Sequence, residues 1–154
     1  MVRQLNGFGP RLLVGYPSAI RPLAAEQLAG RLHIKPEAVM SASEVLTDTA
    51  AQESRNAWNS PTFDVYTATE TAGIVSTCAA GRRHLYEDPV IAEPVDENYV
   101  PVPAGTTRSR LLASVLFTRT LPLIRYELSD RIHAVPDLPR TALGKAPPVG
   151  VVDR

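Results

Sequence analysis

Arg11 to Tyr16 reads RLLVGY between Pro10 and Pro17, and this short, unbroken apolar run constrains the fold more than any other feature of the chain. Its length and proline boundaries suit a strand. Its continuous apolarity suits a strand buried on both faces, which implies a parallel sheet. Parallel strands need crossovers, and the following segments supply them. Ser18 offers an N-cap hydroxyl, Ile20, Leu23, Ala24 and Leu28 recur at helical spacing, and Gly30 is a stop. Pro22 falls within about the first turn, where a missing N–H is tolerated. Ala38 to Ala42 form a second apolar run, Thr47 and Asp48 open a helical stretch that reaches Trp58, and Phe63 to Tyr66 make a third strand. Residues 11–66 therefore predict a parallel βαβαβ unit with right-handed crossovers, an α/β fold. Ligands of such sheets gather beyond the carboxyl ends of the strands, here the loops after Tyr16, Ala42 and Tyr66.

The texture changes after Gly73. Pro89 to Val95, Leu111 to Phe117 and Leu121 to Tyr126 are short runs separated by turn clusters, and the 14 prolines of the chain collect toward this half. Proline interrupts helices, so the segment predicts antiparallel β structure, a β-barrel portion in which 111–117 and 121–126 are adjacent strands. Val135 to Arg154 reads as a proline-rich tail. The expected organisation is an α/β portion over 5–73, a barrel-like portion over 74–133 and a tail over 134–154.

Composition narrows the function classes. Sixteen Lys+Arg balance 16 Asp+Glu, which argues against a nucleic-acid or membrane partner selected by bulk charge. The single Cys78 excludes an internal disulfide and a multi-cysteine zinc site, which points to a reducing cytoplasm. Leu12-Leu13-Val14 is too short for a signal peptide or a membrane span. The sequence contains no Gly-x-x-x-x-Gly-Lys-Ser/Thr, no Gly-x-Gly-x-x-Gly and no Gly-x-Ser-x-Gly. His33, His84 and His133 lack metal spacing.

Four places could carry chemistry. Tyr66 to Gly73 (YTATETAG) puts three threonines, one carboxylate and a glycine at a strand end. Such a group can hold a phosphate and its Mg²⁺, or be a polar loop in which Thr69 caps a short helix. Ser43 and Glu44 follow the second strand, where Glu44 is a binding residue or an acid favoured at the next helix start. Asp130 can accept from two vicinal ribose hydroxyls or be a turn aspartate. Lys145, after Gly144 in LPRTALGK, can reach a phosphate or carboxylate as a point charge, or be a solvated tail lysine. Spacing alone favours the plainer alternative in the first two cases.

Taken in order, these segments resemble the adenylate-forming enzymes. YTATETAG looks like that family's Tyr-x-x-Thr/Ser-Glu motif, and ASEVLT (42–47) resembles its adenine-contacting segment. VDENYVPVPAGTTRSRLLASVLFTRTLPLIRYELSD (95–130) resembles the barrel segment ending in the ribose-binding aspartate. PLIRY…D and GYPSA are similar to phrases of the phenylacetate–CoA ligase branch, and LPRTALGK resembles the carboxy-terminal segment bearing the adenylation lysine. The resemblance covers roughly residues 5–133.

It implies a two-step reaction. A carboxylate attacks the α-phosphorus of ATP, giving an acyl-adenylate and pyrophosphate; the CoA thiol then displaces AMP and leaves a thioester. By the same resemblance Tyr66 stacks on adenine, Thr69 contacts the α-phosphate and Glu70 binds Mg²⁺. Asp130 takes the ribose hydroxyls, Ser43 and Glu44 line the adenine or acid pocket, and Lys145 stabilises the adenylation transition state. The implied cofactors are ATP/AMP, Mg²⁺ and coenzyme A, and the implied substrate is a small, aryl or other, carboxylic acid. The family's phosphate loop should precede Asn6 and does not occur in this sequence, and only 14 residues separate Asp130 from Lys145. Thr67 and Ser109 stand where the family pattern has glycine. The expectation is therefore a partial ligase of the phenylacetate–CoA ligase type. The rivals are a non-catalytic remnant and a binding subunit for a complementing chain. An apolar sheet left without neighbours adds an expectation of self-association.

Overall fold

The computed structural model describes residues 1–78, 83–103, 106, 109–134 and 149–151. The chain divides into two compact units, Met1–Val65 and Tyr66–Arg154, and the division falls inside one strand.

In the first unit, α1 (Val2–Phe8) ends at Gly9, which takes the left-handed conformation at φ 60° that costs glycine little. Then come β1 (Leu12–Gly15), α2 (Pro17–Leu28), β2 (Ala38–Ala42), α3 (Asp48–Trp58) and the start of β3 (Thr62–Ala68). The three strands are parallel, with Leu13 opposite Val39 and Val39 opposite Thr62, as the βαβαβ expectation requires. Thr47 caps α3, its hydroxyl accepting from the Ala50 N–H at 3.2 Å. The core gathers Leu13, Ile20, Leu23, Leu32, Ile34, Val39 and Trp58, each side chain contributing about 1.5–3 kcal/mol by leaving water.

Three local expectations need correction. The helix after β1 is capped by Tyr16, not Ser18, because Pro17 takes the first helical position, where its fixed φ is already helical. Pro22 lies inside the helix, past the first turn, so no N–H is available there for the Ser18 carbonyl. β1 is not buried on both faces: Leu13 is 7% exposed, whereas Leu12 and Val14 are 49% and 59% exposed. The buried helical residues of the Leu13 core come from α2 and α3, with Val2 and Leu5 of α1 packed against it, and among the described residues none covers Leu12 and Val14 to the same degree.

In the second unit the end of β3 turns into β4 (Ala72–Thr77), which pairs antiparallel with β5 (Arg83–Leu85), Val75 opposite Leu85. A separate antiparallel sheet has the order β6 (Val90–Val95), β7 (Ser109–Val115), β8 (Tyr126–Ala134), β9 (Val149–Val151). Pro94 is accommodated because β6 is the edge strand of that sheet. The core contains Tyr66, Ile74, Val75, Val90, Leu111, Ala113, Leu128 and Ile132. β7 does pair with the next strand, but that strand is 126–134, not 121–126. Leu121 and Ile124 are 71% and 76% exposed, Pro122 lacks a ladder donor, and Arg125 adopts φ 53°, so the ladder begins only at Tyr126. Likewise β7 stops at Val115, leaving Leu116 and Phe117 exposed. Among the described residues no helix is long and apolar enough to cross a membrane.

Candidate functional site

The site is built at the end of β3. The Thr71 N–H donates to the Ala68 carbonyl at 3.2 Å, closing a four-residue turn with Thr69 and Glu70 at its exposed apex. No helix follows, so Thr69 caps nothing; the chain goes straight into β4. The turn presents the threonine hydroxyl and the carboxylate to solvent side by side.

Strand β8 meets this region twice. The Tyr66 hydroxyl donates to Asp130 Oδ2 at 2.6 Å, and the Tyr126 hydroxyl lies 3.4 Å from Glu70 Oε1. The two contacts are four residues apart on β8, no more than about 13 Å along a strand. Asp130 is therefore a strand residue and not a turn aspartate. Tyr66 itself is 7% exposed, its ring packed in the core of the second unit.

A β-bulge carries Asp130. Leu111 pairs with Leu128 and the preceding Arg110 pairs with Arg131. One step on β7 thus spans three on β8, and Ser129 and Asp130 are the two extra residues of the bulge. Bulges of this kind re-aim side chains. Ionic contacts on the other face hold the flanks. Arg110 and Arg131 sit opposite each other across the ladder, a like-charge pair that alone would repel. Glu97 bridges them, bonding Arg110 through Nε at 2.8 Å and through Nη2, and Arg131 at 3.4 Å. Arg110 also donates to Glu127 at 2.7 Å and stacks over the Tyr99 ring at 5.3 Å. Hydrogen bonding from Arg110 holds the Glu97 carboxyl below the usual carboxylate range. The Tyr99 hydroxyl, then Arg110, does the same for Glu127.

The remaining expected site residues are Ser43, Glu44 and Lys145. Ser43 and Glu44 follow β2 in the first unit. Ser43 is exposed at φ 66°, an uncommon conformation for a residue other than glycine. Glu44 accepts from the Ser18 N–H at 3.0 Å and from its hydroxyl at 2.8 Å, so it serves a helix start, but that of α2 and not the next one in sequence. Lys145 lies outside the described residues. Among the described residues no cluster of three or more His, Cys, Asp or Glu could hold a metal. Glu70 is a single hard-cation ligand, which suits an ion whose remaining ligands are phosphate oxygens and water. Sequence reasoning missed the bulge, Tyr126 and the Arg110–Glu97 network. One signal was present: Leu128, Asp130 and Ile132 alternate, which sets a carboxylate on a core-facing row.

No protein-family model matches the sequence. Protein CapK of Staphylococcus aureus is 25% identical over 142 residues, which are 90% of this chain and 30% of that protein. The crystal structure of an open 2-hydroxyisobutyryl-CoA ligase, in complex with 2-HIB-AMP and CoA, matches with a TM-score of 0.79 at 19% identity, over 97% of this chain and 36% of that one. The chain shares its fold with part of that ligase. The anthranilate CoA ligase AuaEII in complex with anthranoyl-AMP agrees, with a TM-score of 0.68 at 16% identity over 97% of this chain and 31% of that one. So does the N-terminal subdomain of Klebsiella oxytoca NpsA in complex with 3-hydroxybenzoyl-AMSN, with a TM-score of 0.65 at 14% identity over 99% of this chain and 44% of that subdomain. The α/β architecture followed by antiparallel sheet is thus borne out, and the chain spans less than half the length of each of these proteins.

Proposed function

We propose that the chain supplies the adenylate-holding part of an acid–CoA ligase of the phenylacetate–CoA ligase type, acting on a small carboxylic acid in the cytoplasm. The observation that carries this reading is the convergence of β8 on the end of β3. It sets Asp130 against Tyr66 at 2.6 Å and Tyr126 against Glu70, in a chain sharing its fold with a ligase solved with an acyl-AMP and CoA.

The chemistry follows from the residue types. Asp130 is an acceptor of fixed position, suited to two vicinal ribose hydroxyls. Thr69 offers a hydroxyl to the α-phosphate beside Glu70. Glu70 is the residue that would hold a magnesium ion, which would supply charge neutralisation at the phosphates. The carboxylate oxygen of the acid then forms its bond to the α-phosphorus as the bond to pyrophosphate breaks, and the CoA thiol later takes the acyl group as AMP leaves. Lys145 and the pair Ser43 and Glu44 keep their proposed roles at the transition state and the pocket wall.

The residues named here are not assigned to the β- or γ-phosphate, and precise placement of reacting groups contributes several kcal/mol, on the order of 7–11 at most, to lowering a barrier. We therefore expect the chain alone to bind AMP or ATP weakly and to release no pyrophosphate with phenylacetate. Titration calorimetry with AMP and a coupled pyrophosphate assay test this. Pyrophosphate release abolished by Glu70→Ala would make the chain a working ligase by itself. Absence of AMP binding at millimolar concentration would refute the adenylate reading and leave the non-catalytic remnant.

A further inference from the structure

We infer that the turn Asp96–Val100 is a clamp on the register of β7 and β8: Glu97 and Tyr99, acting through Arg110, are positioning residues for the bulge that carries Asp130. The register is a property of the chain alone. Its consequence for nucleotide binding rests on the adenylate reading.

Three observations carry it. First, the bulged register sets two like charges face to face. Leu111 pairs with Leu128, and a regular antiparallel ladder would continue with Arg110 opposite Ser129. The bulge sets Arg110 opposite Arg131 instead, a pair that repels by itself and needs a counter-charge. Second, counter-charges reach Arg110 from both sides of the bulge. Arg110 donates at 2.7 Å to Glu127, which precedes the two extra residues. It shares the Glu97 carboxylate with Arg131, which follows them. Single exposed ion pairs contribute little, but charges tied into a network contribute more, and the Arg110 side chain is only 23% exposed. Third, the turn is strained at the residue that completes this network. Tyr99 has φ 62°, a conformation that glycine takes freely and a bulky residue rarely adopts. Asp96 braces the turn, its Oδ1 accepting from the Asn98 N–H at 2.8 Å and the Val100 N–H at 2.9 Å. The tyrosine ring then lies over Arg110, 5.3 Å from guanidinium to centroid, and its hydroxyl donates to Glu127 at 2.8 Å. Glycine would satisfy the turn, and only the side chain of Tyr99 satisfies the network.

The two registers differ in where Asp130 stands. In the bulged form Ser129 and Asp130 are the two extra residues. In the regular form Asp130 would fall opposite Ser109, within the ladder. Neutralising Glu97 leaves Arg110 and Arg131 to repel and favours the regular form. Removing the Tyr99 ring frees Arg110 to move along β8 toward Ser129.

The test is nuclear magnetic resonance on the full chain, reading the cross-strand contact of Arg110 with Arg131 against a contact of Arg110 with Ser129. AMP affinity is measured on the same samples by titration calorimetry. Glu97→Gln and Tyr99→Gly should each weaken the first contact and bring up the second. AMP binding should fall about tenfold as the ribose loses a placed, charged acceptor. Adding Arg131→Gln to Glu97→Gln removes the repulsion and should return both readings to the parent values, a rescue that a general loss of stability would not show. Tyr99→Gly is the sharper case, because relief of the backbone alone would leave the register where it is. An Arg110–Arg131 contact at parent intensity in both variants overturns the clamp, whatever happens to AMP. A shifted register with parent affinity for AMP overturns the part assigned to Asp130. A parent chain that binds no AMP refutes the adenylate reading, and the cross-strand contacts then decide the clamp by themselves.

Discussion

Leu32 lies outside the helices and strands, between α2 and β2, yet it is fully buried, with 0% exposure, in the core that holds Leu13, Ile20, Leu23, Val39 and Trp58. Leu32→Ala removes three carbons from a site with no solvent on any side. Substitutions of this kind cost about 2.7–5 kcal/mol, the upper part where the cavity cannot collapse. The neighbours here come from two helices and two strands, whose backbones are tied by their own hydrogen bonds, so collapse is restricted and the upper part applies. A unit the size of Met1–Val65 has roughly 3–10 kcal/mol in total. The substitution should therefore consume about half of it or more and lower the melting temperature of that unit on the order of 15–40 °C. Hydrogen exchange read by mass spectrometry is the suitable assay, because the two cores share no residue. Amides of β1, α2 and β2 should lose protection while those of β6, β7 and β8 keep most of theirs. A loss under about 1 kcal/mol, or equal loss of protection in both units, would refute the reasoning from separate cores.

Three further outcomes are expected. Carboxyls held below their usual range by ion pairs, Glu97 by Arg110 among them, bind protons more readily unfolded than folded. Stability they confer is thus complete at neutral pH and lost as pH falls below about 4.5 through the lowered folded values; Glu97→Gln should flatten this acid limb in thermal melts between pH 7 and 3, and an unchanged limb would exclude the bridge as its source. Thr47→Ala should cost about 1 kcal/mol in urea unfolding through loss of the cap on α3, with Thr47→Ser restoring most of it; an equal loss for both variants would exclude the hydroxyl. The exposed Leu12 and Val14 face of β1 should drive self-association visible by light scattering, reduced by Leu12→Thr combined with Val14→Lys, and a sharp parent monomer at high concentration would contradict it.

The first unit was legible because its signals are local. Apolar runs of strand length, Thr47 as a cap and helical spacing over 20–28 each act within a few residues, and they placed β1, β2, α3 and β3 to within two residues. What they could not reveal is which face of β1 finds a partner, since alternation is hidden when every residue of the run is apolar. The second unit was less legible. Leu121 to Ile124 reads as a strand by composition, but Pro122 and the left-handed Arg125 delay pairing until Tyr126. Asp130 and Glu70 stood out by residue type, but their roles came only from motif resemblance, because the contacts of β8 with Tyr66 and Glu70 join residues 64 and 56 positions apart. Glu44 shows the same limit: its proton donors lie 26 positions back, at Ser18.

The bulge in β8 also bears on how its length can change. Because side chains alternate with a period of two, the extra pair Ser129 and Asp130 leaves Leu128 and Ile132 both facing inward, at 4% and 2% exposure. Deleting Ser129 alone would break that parity and drive either Arg131 or Leu128 to the wrong side. Deleting both residues would restore an unbroken ladder between β7 and β8 with every apolar residue still in place. Lengths that differ by an even number are therefore within easy reach of this hairpin, and the odd ones are not. The shorter even form would be the more regular protein, and it would have no carboxylate for Tyr66 to hold.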